Sequence, residues 1–222
     1  MTNEVLNIDC MEYMADIPDD WFELAIVDPP YGIGNFSNKA TDKKKHNKGY
    51  DIKWNDSPPD REYFNELKRV SKNHIIFGFQ FYMQYLWEDL KGVIIHDFGS
   101  TGGYGSDADL AITNLQNRVT YFKYRWQGFI RDNKEPTDKN RIHSCEKPVA
   151  LYKWLLKSYA KQGDKILDTH IGSGSIRFAC HDMGYELHGC ELDPDCWQAQ
   201  EDRFNRHIQQ DELFNFEGGE II

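Results

Sequence analysis

The sequence has none of the features that mark a membrane or secreted protein. No apolar run reaches about 18 residues, and the opening Met1-Thr2-Asn3-Glu4 lacks the basic and then apolar character of a signal peptide. The five cysteines are scattered and form no Cys-x-x-Cys pair, so a disulfide framework is not expected. We therefore expect a soluble, cytoplasmic protein that does not associate with membranes.

Metal-binding patterns and a strongly basic character are also missing. The pairs Cys180-His181 and His188-x-Cys190 do not match the ligand spacing of a common zinc finger, so no metal is predicted. The formal net charge of −10 argues against a protein that coats nucleic acid through charge alone, although it is compatible with a local basic groove. The 222 residues suffice for one well-buried domain, and an aromatic content of 14% supplies core and stacking surfaces.

The first informative feature that is present is the tetrapeptide Asp28-Pro29-Pro30-Tyr31. It follows Leu24-Ala25-Ile26-Val27, an apolar run typical of a buried strand, and open α/β sheets bind ligands where such strands end. The prolines lack N–H groups and hold the preceding residues extended. We therefore expect the Asp28 carboxylate and the Pro29 carbonyl to form a fixed pair of acceptors beside the Tyr31 ring. Such a pair suits an amino group on a planar ring; for the tetrapeptide alone, a proline turn that caps the strand is the alternative.

A strand, a glycine loop, a helix and a second strand follow one another in the C-terminal half. The predicted strand Lys165-Ile166-Leu167-Asp168 leads into a loop with Gly172 and Gly174, whose backbone can approach a ligand closely. Glu191 ends the next strand, 17 residues beyond Gly174, where a carboxylate can accept hydrogen bonds from ribose hydroxyls. Arg177 replaces the third glycine of dinucleotide loops, and the Gly-Lys-Ser/Thr of a P-loop is missing. A cofactor with a ribose but no pyrophosphate fits better, and we predict S-adenosylmethionine; for the loop alone, a structural turn is the alternative.

Two polar segments interrupt this pattern, and each has two interpretations. The segment 32–59, with its run Lys43-Lys44-Lys45, is either a mobile, solvated loop or a contact for phosphates. The segment 119–142 interleaves basic residues with aromatic ones such as Trp126. It is either a short target-recognition region or an edge loop with buried anchors. We predict a single domain, 1–222, with both segments as insertions.

Hydrophobic periodicity predicts the remaining elements. Strands are expected at 5–8, 24–27, 74–78, 93–96, 165–168 and 186–190. Helices are expected at 11–17, 60–70, 79–90, 148–159, 176–183 and 194–208, with Pro148 as the first residue of the fourth and a frayed tail from Gln209. Residues 110–113 and 119–122 are expected to pair as antiparallel strands.

Several segments, in the same order, resemble motifs of the DNA amino-methyltransferases. They are Asn7-Ile8-Asp9-Cys10, Asp28-Pro29-Pro30-Tyr31, His143-Ser144-Cys145-Glu146-Lys147-Pro148, the loop 167–175 and Gly189-Cys190-Glu191-Leu192-Asp193. A catalytic motif that precedes the cofactor loop is typical of the permuted, beta-group enzymes. The compact form, with Trp126-Gln127-Gly128, is most similar to enzymes carried by bacteriophages. Thr169 and His170 depart from the usual Pro-Phe of the loop, and Asn7-Ile8 from the usual glycine before Asp9.

The resemblance implies an α/β, Rossmann-like, S-adenosylmethionine-dependent methyltransferase fold. Its central sheet would be mostly parallel, with one antiparallel edge strand and a circularly permuted order of motifs.

The resemblance also implies roles for individual residues. The catalytic residues would be Asp28, Pro29, Pro30 and Tyr31. Asp9 and Cys10 would meet the adenine ring of the cofactor, Glu191 its ribose, the Lys147 region its carboxylate, and Asp168 with the 172–174 loop its methionine part. The cofactor-binding candidates in full are Asp9, Cys10, Asp28, His143, Lys147, Pro148, Asp168, His170, Gly172, Ser173, Gly174, Ser175, Glu191 and Leu192.

The implied function is methyl transfer from S-adenosylmethionine to the exocyclic N6 of an adenine flipped out of double-stranded DNA. Aspartate at the first motif position favours adenine, because families that act on cytosine N4 more often carry serine there. The alternatives are a DNA cytosine N4-methyltransferase, an RNA amino-methyltransferase, and a non-catalytic nucleic-acid-binding relic of the fold. A homodimer and a cognate restriction nuclease are the further partners considered.

Overall fold

The computed structural model describes residues 2–33, 57–99, 106–127, 130–131 and 146–217. Most of the predicted loop 32–59, the lysine run within it, much of the predicted recognition region and the candidate His143 lie outside these residues. In the described part of the chain, no helix is both long and apolar enough to cross a membrane.

Eight strands form one central sheet. They are β1 (Asn3–Leu6), β2 (Leu24–Val27), β3 (His74–Phe77), β4 (Gly92–Asp97), β5 (Ala108–Thr113), β6 (Val119–Lys123), β9 (Lys165–Asp168) and β10 (Glu186–Cys190). Two further strands, β7 (Trp126–Gln127) and β8 (Ile130–Arg131), pair as a separate two-stranded antiparallel sheet. The order in the central sheet is β1-β10-β9-β2-β3-β5-β4-β6, and every pairing in it is parallel except those of β5. The predicted α/β class with a mostly parallel sheet is confirmed. The antiparallel strand lies inside the sheet, between β3 and β4, and not at its edge.

The predicted antiparallel pairing of 110–113 with 119–122 is wrong. β5 already pairs on one side with β3 and on the other with β4, so neither of its edges is open to β6. β6 instead pairs in parallel with the far side of β4, from Val93↔Val119 to Asp97↔Lys123. The first residues of the predicted recognition region therefore form the edge of the main sheet.

The helices are α1 (Cys10–Ala15), α2 (Arg61–Val70), α3 (Met83–Leu86), α4 (Val149–Tyr159), α5 (Ser175–Met183) and α6 (Pro194–Glu217). Pro148 is the N-cap of α4 rather than its first residue, and α6 continues past its predicted end at Ile208. The predicted helix 79–90 is broken into a 3₁₀ turn at Phe79–Phe81, α3, and a second 3₁₀ turn at Trp87–Asp89. Buried aromatic side chains anchor this stretch to the core, and this packing overrides the helical periodicity.

The sheet is covered on both faces, as the alternation of side chains along β2 shows. Leu24 and Ile26 belong to a buried cluster that includes residues of α4 and α5. Ala25 and Val27 belong to a second cluster with residues of α2. A strand buried on both faces is typical of a parallel sheet, which explains why this run is wholly apolar.

The parallel pairing of three neighbouring strands determines where the predicted motifs meet. β2 pairs with β9, and β9 pairs with β10, all in the same direction. Their carboxyl ends therefore lie at one edge of the sheet. Asp28 follows β2, the glycine loop follows β9 and Glu191 follows β10, so the two motifs that lie far apart in the sequence open onto one place.

Candidate active site

A cleft of about 450 Å³ lies at this edge of the sheet. Most of the predicted site residues line it: Asp9, Cys10, Asp28, Pro30, Lys147, His170, Gly172, Ser173, Glu191 and Leu192. The other described candidates do not line the cleft, but in the sequence each lies within two residues of a residue that does. They are Pro29, Tyr31, Pro148, Asp168, Gly174 and Ser175. The two motifs therefore share one cleft.

Two left-handed glycines and a half-buried carboxylate shape the loop after β9. Gly172 and Gly174 have φ angles of 53° and 76°, which glycine adopts without the steric cost that a side chain would add. Glu191 accepts a hydrogen bond from the backbone N–H of Gly172 at 2.9 Å and another from Asp193 at 3.0 Å. Burial raises the pKa of the Glu191 carboxyl. The acidic residue predicted for the ribose thus also fixes the glycine loop to the end of β10.

Asp168 is the last residue of β9 and lies fully inside the protein, with 1% of its surface exposed. Its carboxylate accepts a hydrogen bond from the His170 N–H at 2.9 Å. Burial raises the pKa of Asp168 to about 8, and the nearby carboxylates of Asp28 and Glu191 act in the same direction. A positively charged ligand group in the cleft would favour the ionised form of this residue.

A chain of hydrogen bonds holds the two residues that depart from the usual loop sequence. The hydroxyls of Tyr63 and Thr169 are 2.7 Å apart, and the Thr169 hydroxyl is 2.9 Å from Nδ1 of His170. Burial lowers the pKa of His170 to about 4, so the imidazole is neutral near pH 7. The sequence predicted Tyr63 only as part of the apolar stripe of α2. Nothing in that stripe indicates that the Tyr63 hydroxyl contacts Thr169, more than 100 residues later in the chain.

The predicted adenine-binding pair, Asp9 and Cys10, also lines the cleft. Asp9 caps α1, since its carboxylate accepts the N–H of Met11 at 2.8 Å. Burial and the Asp9 carboxylate raise the pKa of the Cys10 thiol to about 12. Leu192 projects from the rim and remains 66% exposed, which leaves an apolar surface for a planar ring.

The acceptors of the Asp28 motif all have donors within the protein. Asp28 accepts from the Tyr31 hydroxyl through Oδ1 and from Nζ of Lys147 through Oδ2, both at 2.5 Å. The Pro29 carbonyl accepts from the Tyr82 hydroxyl at 2.6 Å. The sequence predicted these oxygens as acceptors but not Tyr82, which it assigned to an aromatic helix. Each oxygen keeps further lone-pair capacity for a ligand.

The Tyr31 ring stacks on the Phe81 ring, with 4.9 Å between centroids and 18° between planes. Gly78 makes this position accessible, because a Cβ there would lie 2.2 Å from the Tyr31 ring. Gly78 also has a φ of 70°, which a side chain would strain. One face of the Tyr31 ring is therefore covered by the segment after β3.

Lys147, which the resemblance places near the cofactor carboxylate, also has partners within the protein. It lines the cleft, yet its ammonium binds the Asp28 carboxylate and lies 3.6 Å from a second carboxylate, that of Asp109. Sequence reasoning missed Asp109, the charged residue in the otherwise mostly apolar strand β5.

Known proteins resemble the chain in sequence and in structure. The family model N6_N4_Mtase, described as DNA methylase, matches residues 105–201. The type II methyltransferase M.HpaI of Haemophilus parainfluenzae is 24% identical over 242 residues, which cover 92% of this chain and 75% of the relative. The M1.HpyAVI–SAM complex superposes with a TM-score of 0.58 at 18% identity, covering 90% of this chain and 98% of that one. The PvuII DNA methyltransferase (cytosine-N4-specific) gives 0.62 at 11% identity, covering 90% and 86%.

These matches agree with one another and with the sequence. The structural neighbours share the fold predicted for this chain, that of the S-adenosylmethionine-dependent DNA methyltransferases. The family match and the relatives support a DNA methyltransferase of the N6/N4 class.

Proposed function

We propose that the protein transfers a methyl group from S-adenosylmethionine to the exocyclic N6 of an adenine flipped out of double-stranded DNA. The observation that carries this proposal is the single cleft that joins Asp28 and Pro30 to Gly172, Ser173 and Glu191. Two acceptor-rich loops from distant parts of the chain meet there. Catalysis of a two-substrate transfer requires such a meeting.

The residues on one side of the cleft fit the cofactor. The Gly172 backbone permits close approach, Glu191 offers carboxylate oxygens to ribose hydroxyls, and Leu192 offers an apolar surface to a purine ring. The cleft volume of about 450 Å³ lies in the range typical of small-molecule sites. The cofactor, when bound, supplies an electrophilic methyl group on a sulfonium.

The residues on the other side fit an aromatic amine. The lone pair of such an amine is delocalised into its ring, so it is a poor nucleophile. Asp28 and the Pro29 carbonyl would accept its two hydrogens, favour a pyramidal nitrogen and stabilise the positive charge that nitrogen acquires. Flipping the base costs a few kcal/mol, and stacking on an aromatic ring such as Tyr31 returns about 1–3 kcal/mol.

No cysteine is needed for this reaction, in contrast to methylation at a ring carbon. Burial holds the pKa of Cys10 and of Cys196, the two thiols that line the cleft, at about 12. Both thiols are therefore protonated near pH 7, and a protonated thiol is a weak nucleophile.

Adenine is the proposed target because an aspartate occupies the first position of the motif. The alternative within the same class is cytosine N4, and an RNA amine or a non-catalytic relic are more distant alternatives. We also propose double-stranded DNA as the partner, with 32–59 as a mobile loop and 119–142 as a short recognition region of one domain, 1–222. A homodimer and a cognate restriction nuclease fit the same proposal.

The test is methyl transfer from labelled cofactor to unmethylated DNA, followed by nucleoside analysis. We expect N6-methyladenine, and we expect Asp28→Ala to lower the rate by about 10²–10³-fold because a polar group that stabilises the transition state is lost. The exposed Asp16→Ala serves as the matched control and is expected to keep the wild-type rate.

Each other outcome leads to a definite correction. N4-methylcytosine would replace the proposed target, and incorporation into RNA alone would replace the proposed substrate. Full activity of Asp28→Ala would overturn the role of its carboxylate. If the wild-type protein transferred no methyl group to any nucleic acid, the remaining interpretation would be a non-catalytic nucleic-acid-binding relic of the fold.

A further inference from the structure

A buried lysine lies between two carboxylates beside the cleft. Lys147 is 6% exposed, and its Nζ is 2.5 Å from Oδ2 of Asp28 and 3.6 Å from Oδ2 of Asp109. The same ammonium lies 4.7 Å from the centroid of the Phe77 ring. Asp109 is part of β5, directly across from His96 on β4.

The ionic states of this group follow from its contacts. Burial alone would lower the pKa of Lys147, but the carboxylates of Asp109 and Asp28 outweigh it and raise that pKa. Burial alone would raise the pKa of Asp109, but the ammonium of Lys147 outweighs it and holds that pKa below its ordinary value. Lys147 and Asp109 therefore both carry their charges near pH 7.

The balance of charge is what makes this arrangement informative. Lys147 alone would cancel the charge of Asp28, and a neutral pair stabilises a developing positive charge poorly. With Asp109 present, the trio of Asp28, Lys147 and Asp109 keeps one net negative charge. Lys147 can then orient Oδ2 of Asp28 without removing the charge that an amine needs.

We propose that Asp109 is a positioning residue that neutralises Lys147, so that the negative charge of Asp28 stays available to the amine that is methylated. Asp109 acts through Lys147 and touches neither substrate. This inference rests on the proposed function.

The surroundings of the trio contain few other charges. His96 is fully buried, and neither ring nitrogen has a hydrogen-bond partner in the described structure; its Nδ1 is 3.8 Å from Oδ2 of Asp109. The other titratable groups that face Asp28 are Tyr31, Tyr82, Tyr152 and Asp168. Among the described residues near Asp28, Lys147 is thus the positive charge that needs a counter-ion.

The first test is Asp109→Asn, which keeps the size of the side chain and removes its charge. We expect kcat to fall by at least about tenfold, less than the 10²–10³-fold typical of a group that contacts the reacting atoms. The KM for DNA and the Kd for S-adenosylmethionine, measured by calorimetry, should stay within about twofold. Asp107→Asn, an exposed aspartate in the same segment, is the matched control and is expected to leave all values unchanged.

The second test separates charge balance from a merely structural role. Lys147→Met combined with Asp109→Asn removes both charges and again leaves one net negative charge, on Asp28. We expect the kcat of this double variant to equal or exceed that of Asp109→Asn alone. If each substitution instead damaged the structure independently, the loss of kcat in the double variant would be the loss of Asp109→Asn multiplied by the loss of Lys147→Met measured alone.

The outcomes are distinguishable from failure of the proposed function. An inactive wild type would overturn both proposals. An active wild type with an unchanged kcat in Asp109→Asn, or a double variant that shows multiplied losses, would overturn only the role of Asp109. If Asp109→Asn folds poorly, Asp109→Glu preserves the charge and is expected to keep kcat within about fivefold; a loss as large as that of a neutral variant would contradict the inference.

Discussion

At the scale of single residues, the most unusual part of the site is Thr169-His170. The Tyr63 hydroxyl holds Thr169, and Thr169 holds Nδ1 of His170. Within the described structure no hydrogen bond is made by Nε2 of His170, although the residue lines the cleft. We infer that the chain of hydroxyls holds the orientation of the imidazole ring, and with it the position of the Nε2 atom toward a ligand.

Tyr63→Phe removes the start of this chain while keeping the ring. We expect the Kd for S-adenosylmethionine to rise about twofold to tenfold, because one hydrogen bond contributes about 0.5–1.5 kcal/mol. His170 has a pKa of about 4 and stays neutral above pH 6, so it should add no pH dependence to binding between pH 6 and 8. Calorimetry measures both effects.

Tyr159→Phe is the matched control for this variant, since the Tyr159 hydroxyl contacts Thr120 on the distant strand β6. It should leave the Kd unchanged. An unaltered Kd in Tyr63→Phe would show that the hydroxyl chain serves the fold alone.

Residues predicted from the sequence differ from those missed in one physical respect. Asp28, Gly172 and Glu191 follow apolar strands within a few residues, so local pattern is enough to place them at a strand end. Tyr82 and Asp109 act through contacts with residues far away in the chain, the Pro29 carbonyl and the Lys147 ammonium. Their local sequence indicates only an aromatic helix and an apolar strand.

At the scale of elements, α6 fixes the glycine loop to the segment that carries Lys147. Arg203 donates to the Ser173 carbonyl at 3.0 Å and pairs with Glu146 at 2.9 Å. The Arg203 and Glu146 side chains are 10% and 4% exposed, so this ion pair is buried. Because Glu146 precedes Lys147, the pair links both sides of the cleft.

Arg203→Met should therefore destabilise the protein strongly, since it leaves the Glu146 carboxylate buried without its cation. We expect the free energy of unfolding to fall by about 3–5 kcal/mol, as is typical when one partner of a buried pair is removed. Urea unfolding followed by circular dichroism measures the change. Adding Glu146→Gln should restore part of the loss.

The matched control is Lys72→Met, which breaks the more exposed ion pair of Lys72 with Glu23. It should cost far less than Arg203→Met, because an ion pair between exposed side chains contributes little to stability. Equal effects of Arg203→Met and Lys72→Met would mean that the pair on α6 behaves as a surface pair.

At the scale of the whole molecule, the parallel arrangement of the sheet could be predicted, but the strand order could not. Apolar runs alternating with helices indicate a parallel sheet, and every motif that follows such a run must then lie at one edge. The position of β5 between β3 and β4 depends on pairings across the chain that leave no local pattern. The same holds for β6, whose pairing with β4 contradicts the hairpin expected from its proximity to β5.

The acidic composition and the buried carboxyls at the cleft together determine how stability depends on pH. Asp168 has an ordinary pKa of 3.8 that burial raises to about 8 in the folded state. Between these values the folded protein binds more protons than the unfolded chain, so the free energy of unfolding falls as pH rises and levels off above pH 8. The contribution of one such group cannot exceed about 1.4 kcal/mol per pH unit.

The net charge of −10 adds self-repulsion in the same direction, so the wild-type slope alone does not isolate Asp168. Comparison with Asp168→Asn isolates the contribution of Asp168, because this substitution removes the titrating carboxyl of that residue and leaves the other carboxyls in place. We expect urea unfolding between pH 5 and 8 to give a flatter pH dependence in Asp168→Asn than in the wild type. Parallel curves would mean that Asp168 titrates alike in both states, and that the carboxyl is not held protonated at the end of β9.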